Sequence, residues 1–238
     1  MNVREKYARE IAQLTTACHR CGELGYVTSS GGNLSMRVEE NLILITPTKT
    51  PKRYMTEDDI CAVNLKGEIV YAPEGKKPTG ETPFHVRIMN MRPDVKAIVH
   101  AHPPILTGFA IARSTILSKP LLPEPIIEVG PILNVAYATP LSEELSQNFD
   151  KVIKKSNGFL MENHGALICS SNGIEEAVEQ MQMAEAMAQS VVVAKCLGNV
   201  EVISERDVID LENVIKIRSL KLPGSETTSL MDIYDCEK

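Results

Sequence analysis

The sequence predicts a layered α/β fold with a largely antiparallel sheet. Three observations carry that prediction: apolar residues recur at helical spacing in several segments, short alternating or continuous apolar runs lie between them, and neighbouring runs meet in tight turns. Near the start, Tyr7, Ile11, Leu14, Cys18 and Cys21 step by 4, 3, 4 and 3, the apolar stripe of a helix over about 3–24 that ends near Gly25. "VTSSGGNLSMRV" is a Gly/Ser loop opening into a short alternating strand, "NLILITP" a buried strand and "TEDDI" a short helical turn. "AVNLKGEIVYA" reads as a hairpin around Lys66-Gly67. "GETPFHVRIMNM" predicts a helix with Thr79 as its N-cap and Pro83 tolerated in the first turn. A strand to His102 follows, then a helix over about 104–112 and a Pro-rich stretch, "KPLLPEPIIEVGP". "ILNVAYA" is a strand, "SEELSQNFDKVIKKS" a helix, and "GFLMENHGALICS" two strands meeting at Asn163–Gly165. Val178, Met181, Ala184, Ala188 and Val191 form the buried stripe of a helix over about 174–198. A last helix covers about 206–217, and roughly the last 15 residues predict a tail that is loose or ordered by a partner.

The 238 residues show no repeat, linker or composition break, which predicts one domain over 1–238. Apolar residues at 43% and charged residues at 24% describe an ordinary globular chain. A net charge of −6 with no basic run excludes nucleic acid and anionic membranes as partners. No segment approaches the ~20 apolar residues that span a bilayer. The first 21 residues are charged and helical, without the apolar core of a signal peptide, so the expected location is the cytoplasm. Six scattered cysteines form no disulfide framework. Cys18 and Cys21 make a C-x-x-C, but no second pair accompanies them and both lie on the apolar stripe, so they read as core.

The chemistry concentrates in "KAIVHAHPP", residues 96–104. A strand alternates its side chains, so His100 and His102 share a face, with Val95, Ala97, Val99 and Ala101 on the other. Neutral imidazole is the commonest protein ligand for zinc and similar ions, but two histidines need a third. His164, at a predicted turn and followed by Gly165, supplies it. Three nitrogens with an open position are the pattern of a catalytic rather than a structural site. Two other metal folds with His-x-His fail by eye: a cupin wants a glutamate where Leu106 and Thr107 stand, and a metallo-β-lactamase wants Asp-His where Pro103-Pro104 stand. Glu81, at the start of the predicted helix before this strand, is the candidate acid and base. His85, four residues on, either buttresses Glu81 or packs in the core. "SSGGNLS" offers consecutive backbone N–H groups for an anion.

"LGYVTSSGGNLSMR", "ITPT", "PTGETPFHVRIMNMRPDVKAIVHAHPP", "YATP" and "ENHGALI" occur in this order and together resemble the class II aldolase/adducin family, over about residues 5–200. The resemblance implies a three-layer α/β/α fold with a central, mainly antiparallel sheet, assembled as a homotetramer with sites at subunit interfaces. It implies a metal, zinc or another divalent ion, on His100, His102 and His164, with Glu81 as a fourth ligand and proton carrier. A ketose phosphate of the fuculose-phosphate type would be cleaved to dihydroxyacetone phosphate and an aldehyde through a metal-stabilised enediolate. The implied phosphate pocket falls on Gly32, Asn33, Thr48, Lys49, Thr79 and Gly80. There the chain departs from the pattern: Lys49 replaces a glycine, and Thr79-Gly80 replace two serines. Epimerases, dehydratases and hydroxy-acid decarboxylases of the same scaffold are the alternative, although epimerase-like members carry aspartate at the Glu81 position. A non-catalytic adducin-head-like module is the remote one, since such modules lose the ligands kept here. Family members often use a C-terminal tyrosine as an acid, for which Tyr234 is the tail's candidate.

Overall fold

In the computed structural model, which describes residues 3–234, eight strands join in one sheet. They are β1 (Asn33–Glu39), β2 (Leu42–Ile45), β3 (Cys61–Asn64), β4 (Ile69–Tyr71), β5 (Ala97–Ala101), β6 (Ile132–Val135), β7 (Gly158–Met161) and β8 (Gly165–Ser170). Their spatial order is β4-β3-β2-β1-β5-β8-β7-β6, and every pairing is antiparallel except β6 with β7. The helices are α1 (Val3–Lys6), α2 (Ala8–Glu23), α3 (Thr82–Met91), α4 (Pro104–Ala112), α5 (Pro123–Glu128), α6 (Glu143–Asn148), α7 (Ile174–Leu197) and α8 (Glu205–Ile217).

Both faces of the sheet are covered, so its inner strands are apolar without interruption: all four residues of β2, "LILI", are buried. On one face α2, α4 and α7 pack on Leu34, Leu44, Val99 and Ile168. On the other, α3, α6 and Phe149 pack on Ile43, Ile45, Ile98 and Leu167. The alternation of Ile98 and Val99 between the two cores is the strand periodicity read from the sequence. Val95, just before β5, joins the Ile98 side instead of the Val99 side, because alternation holds only within the strand.

The stripes of α2 and α7 are buried as predicted, and Cys18 and Cys21 lie in the core as free thiols. Elsewhere the elements differ from expectation. The first helix is interrupted at Tyr7, which turns inward and donates its hydroxyl to Glu39. α3 starts at Thr82, leaving Glu81 and not Thr79 in the capping position, while the Thr79 hydroxyl accepts the Glu81 N–H at 3.3 Å. The helix predicted over 142–156 ends at Asn148 and continues as a 3-10 turn over Phe149–Lys151. The Pro-rich stretch contains α5, whose prolines occupy a first turn that needs no N–H from them. The tail is docked up to Tyr234: Leu230 and Tyr234 are buried against Ile126 and Ile127 of α5 and Val208 and Ile215 of α8. Residues 235–238 of that predicted loose tail lie outside the described residues. No described helix is long and apolar enough to cross a membrane.

Candidate metal centre

His100 is the penultimate residue of β5, His102 lies one residue beyond the strand, and His164 sits in the turn joining β7 to the adjacent β8. Antiparallel pairing of β5 with β8 sets Ala101 opposite Ala166, which brings the three imidazoles together. Their ring centroids are 4.7–5.4 Å apart, and one nitrogen from each lies within 4.8 Å of the others. The close approach depends on two glycines. A Cβ on Gly165 would lie 2.5 Å from the His102 ring and 2.6 Å from the Ala101 carbonyl oxygen. Gly32 has φ +67°, and a Cβ there would meet the His100 carbonyl oxygen at 2.8 Å.

The tautomers follow from the partners. Nδ1 of His100 donates to the Ala166 carbonyl at 2.9 Å, which leaves its Nε2 lone pair turned to the centre. Nε2 of His102 lies 3.3 Å from that atom. Tetrahedral zinc with imidazole bonds of 2.0–2.1 Å needs nitrogens roughly 3.3 Å apart, and this pair meets that requirement. Burial holds His100 well below the usual histidine range and lowers His102 to about 4, so both are neutral at pH 7, the form a metal binds. Nδ1 of His164 is buried without a partner among the described residues. The donor set fits a divalent ion such as zinc.

Glu81 closes the fourth side. Its Oε2 lies 3.5 Å from His100 Nε2 and its Oε1 3.6 Å from His164 Nε2. Behind it runs a buried chain of hydrogen bonds. Asn33 Nδ2 donates to Glu81 Oε2 at 2.6 Å, so Asn33 Oδ1 faces His85. That oxygen only accepts, so His85 Nε2 donates to it at 2.5 Å, and Ser35 Oγ donates to the remaining His85 Nδ1 at 2.7 Å. Burial lowers His85 to about 3, which keeps it in this neutral form. Of the two readings offered for His85, the structure gives it the buttressing part, through Asn33.

The remaining predicted residues converge on the same edge. Thr46 N bonds Leu34 O and Thr79 N bonds Thr46 O, both at 3.0 Å, while Thr48 N bonds Lys77 O at 2.9 Å. These contacts set the Gly32–Asn33, Thr48–Lys49 and Thr79–Gly80 segments side by side. The Asn33 side chain, however, is committed to Glu81 and His85 instead of facing an anion. Lys49 is exposed with φ +55°, a conformation that explains why glycine suits this place. Tyr234 packs within its own chain among Ile126, Val208 and Leu230, and not at the histidines. The sequence reading missed Lys52, buried behind the Ser30–Asn33 loop, which carries no motif signal. Ser35 closes the "SSGGNLS" motif, read there as part of an anion cradle, but its hydroxyl serves His85 instead.

The model of the class II aldolase and adducin N-terminal domain matches residues 12–192. The chain belongs to that family. Among its relatives, L-fuculose phosphate aldolase of Methanococcus maripaludis is 32% identical over 180 residues, 76% of this chain and 94% of that protein. The 3-oxo-tetronate 4-phosphate decarboxylase of Pectobacterium atrosepticum is 31% identical over 168 residues, 69% of this chain and 75% of that protein. A solved L-fuculose 1-phosphate aldolase superposes with a TM-score of 0.78 at 26% identity, over 87% of this chain and 96% of the other. The three-layer fold is that of the class II aldolases, a metal-dependent family, and the chain is an enzyme of it.

Proposed function

We propose that this class II aldolase family member is a zinc-dependent carbon–carbon lyase that cleaves a ketose phosphate to dihydroxyacetone phosphate and an aldehyde. The observation that supports it most is a buried carboxylate, Glu81, set 3.5–3.6 Å from two of three convergent neutral histidines. His100, His102 and His164 hold the metal, which when bound supplies Lewis-acid stabilisation for negative charge developing on the substrate's oxygens. Glu81 is the proton carrier. Its Oε2 is occupied by the Asn33 amide, which leaves Oε1, on the His164 side, to accept and return the proton. No lysine Schiff base is needed. Gly32, Thr48, Lys49, Thr79 and Gly80 line the side on which the phosphate binds. In this reading the enzyme works in the cytoplasm as a homotetramer, and exposed Val192, Val193 and Leu197 on α7 with Ile111 on α4 support a contact between copies.

A second reading has its own support. Lys49 adds a cation where the family's aldolase pattern has glycine, and one relative is a decarboxylase of a phosphorylated 3-oxo acid. Decarboxylation of such an acid leaves the same kind of carbanion next to a carbonyl, so the site serves both reactions. Purified enzyme of known metal content, assayed on fuculose 1-phosphate and on 3-oxo-tetronate 4-phosphate, separates them: dihydroxyacetone phosphate together with an aldehyde from the former supports the first, and carbon dioxide released from the latter, which also leaves dihydroxyacetone phosphate, supports the second. Turnover of neither by metal-loaded enzyme removes both. Glu81→Gln is expected to lower kcat by about 10²–10⁴-fold while the metal stays bound; unchanged turnover would remove Glu81 from the mechanism.

A further inference from the structure

Lys52 is buried to 1% exposure, on the 3-10 turn Lys52–Tyr54 that follows the Thr48–Lys49 segment. Its Nζ donates to the Ser30 carbonyl at 3.1 Å and to the Thr50 carbonyl at 3.2 Å. Two of its three N–H groups are thereby satisfied, but its charge is not: no described carboxylate lies within ion-pairing distance. An ammonium removed from water costs several kcal/mol unless an opposite charge meets it. The thiols of Cys18 and Cys21 stand near, but burial raises both well above the usual thiol range, to about 12 for Cys21, so they carry no negative charge at pH 7. Burial also lowers the proton affinity of Lys52 itself, and Glu81 is the carboxylate whose field opposes that.

The position of this charge matters as much as its isolation. Ser30, whose carbonyl it holds, precedes Gly31, and a Cβ on Gly31 would lie 3.2 Å from the His102 ring. Thr50, whose carbonyl it also holds, follows Thr48 and Lys49. The ammonium therefore joins the Gly-rich loop to the Thr48–Thr50 loop, immediately behind the edge of the histidine cluster. We propose that Lys52 is the specificity-determining cation of an oxyanion subsite, tying these two loops together and supplying the charge that a phosphate or carboxylate of the substrate neutralises. The assignment rests on the reading of the enzyme as a lyase of phosphorylated substrates, and it names the residue that selects them.

The test compares wild type with Lys52→Gln, which keeps N–H donors for the two carbonyls and removes the charge, and with Lys52→Met as a second uncharged form. Metal content is measured first and is expected to be equal, because Lys52 is no ligand. Melting temperature and calorimetric binding are then followed with inorganic phosphate in one arm and acetate in the other. Wild type is expected to be stabilised by phosphate, by acetate or by both, and the responding arm identifies the group. Whichever uncharged variant folds is expected to bind that anion roughly 10- to 100-fold more weakly, with a matching rise in KM for substrate. Equal anion binding by wild type and variants, or none by wild type, overturns the proposal. Failure of the lyase reading looks different: wild type with metal bound still responds to the anion but turns over neither substrate.

Discussion

The two ends of the β5–β8 pair carry buried polar groups of opposite character. At the end where β5 begins, Arg92 is buried and all five of its guanidinium N–H groups are used. Nε and Nη2 grip Asp94 at 2.9 and 2.7 Å, Nη1 takes the carbonyls of Ile153 and Ser156, and Nη2 also reaches Asn157. The charge and the hydrogen bonds of Arg92 are both closed. At the other end His100 and His102 present ring nitrogens to each other, His164 keeps an unpartnered Nδ1, and Lys52 has no counter-ion among the described residues. Native interiors pair nearly all their buried polar groups, so a concentration of incomplete ones marks where something else binds. Burial of polar residues alone does not distinguish structure from function here; the convergence of three imidazoles and a carboxylate on one point does.

That contrast is testable by disabling each end in turn. His102→Ala is expected to give the largest loss, stripping the metal and lowering turnover by at least the 10²–10⁴-fold assigned to a lost acid–base group, read by elemental analysis and kinetics. Arg92→Leu is expected to do the reverse. Leaving Asp94 and three buried oxygens without their partner should cost about 3–5 kcal/mol in denaturant unfolding, with the metal content of the folded protein unchanged.

Acid separates the two ends more gently. His85, neutral in the fold down to about pH 3, titrates near its ordinary 6.5 in the unfolded chain. Between those values the unfolded chain binds the extra proton, so stability is fully present above pH 6.5 and is lost as pH falls toward 3, by up to several kcal/mol. The Arg92 end responds only at the acid edge of that window: burial pushes the Asp94 carboxyl up, but Arg92 holds it below its ordinary value of 3.8, so its contribution is intact above about pH 5 and is lost as pH falls through that value. Melting temperature should therefore be level above pH 7 and fall below pH 6. The smallest expected effect is that of His85→Leu, which frees the Asn33 amide to turn from Glu81. It should lower kcat about 10- to 100-fold with metal retained, and His85→Gln, which still donates to Asn33, should recover part of the loss.

The sequence made the three convergent histidines legible because each rests on a local rule. Strand alternation aligned His100 with His102, and the glycine after His164 marked a tight turn on a neighbouring element. The stripes of α2 and α7 were legible for the same reason, since helical periodicity needs no tertiary information. What stayed hidden depends on contacts between distant segments. Asn33 read as an anion donor because it follows two glycines, yet its side chain lies under Glu81, which pairing of β1 with β5 and packing of α3 decide together. Lys52 drew no reading from the sequence, because its burial depends on α2 and the Ser30 loop closing over it. α5 was concealed by its prolines, and the docking of Tyr234 depends on α5 and α8, elements distant in the chain.

The central claim is that His100, His102 and His164 together hold a divalent metal. The most direct test is the metal-to-chain ratio of purified wild type beside His102→Ala and Arg92→Leu, measured by elemental analysis. The account predicts about one divalent ion per chain in wild type and in folded Arg92→Leu, and close to none in His102→Ala. A wild type without stoichiometric metal, or a His102→Ala variant that keeps it, would contradict the account.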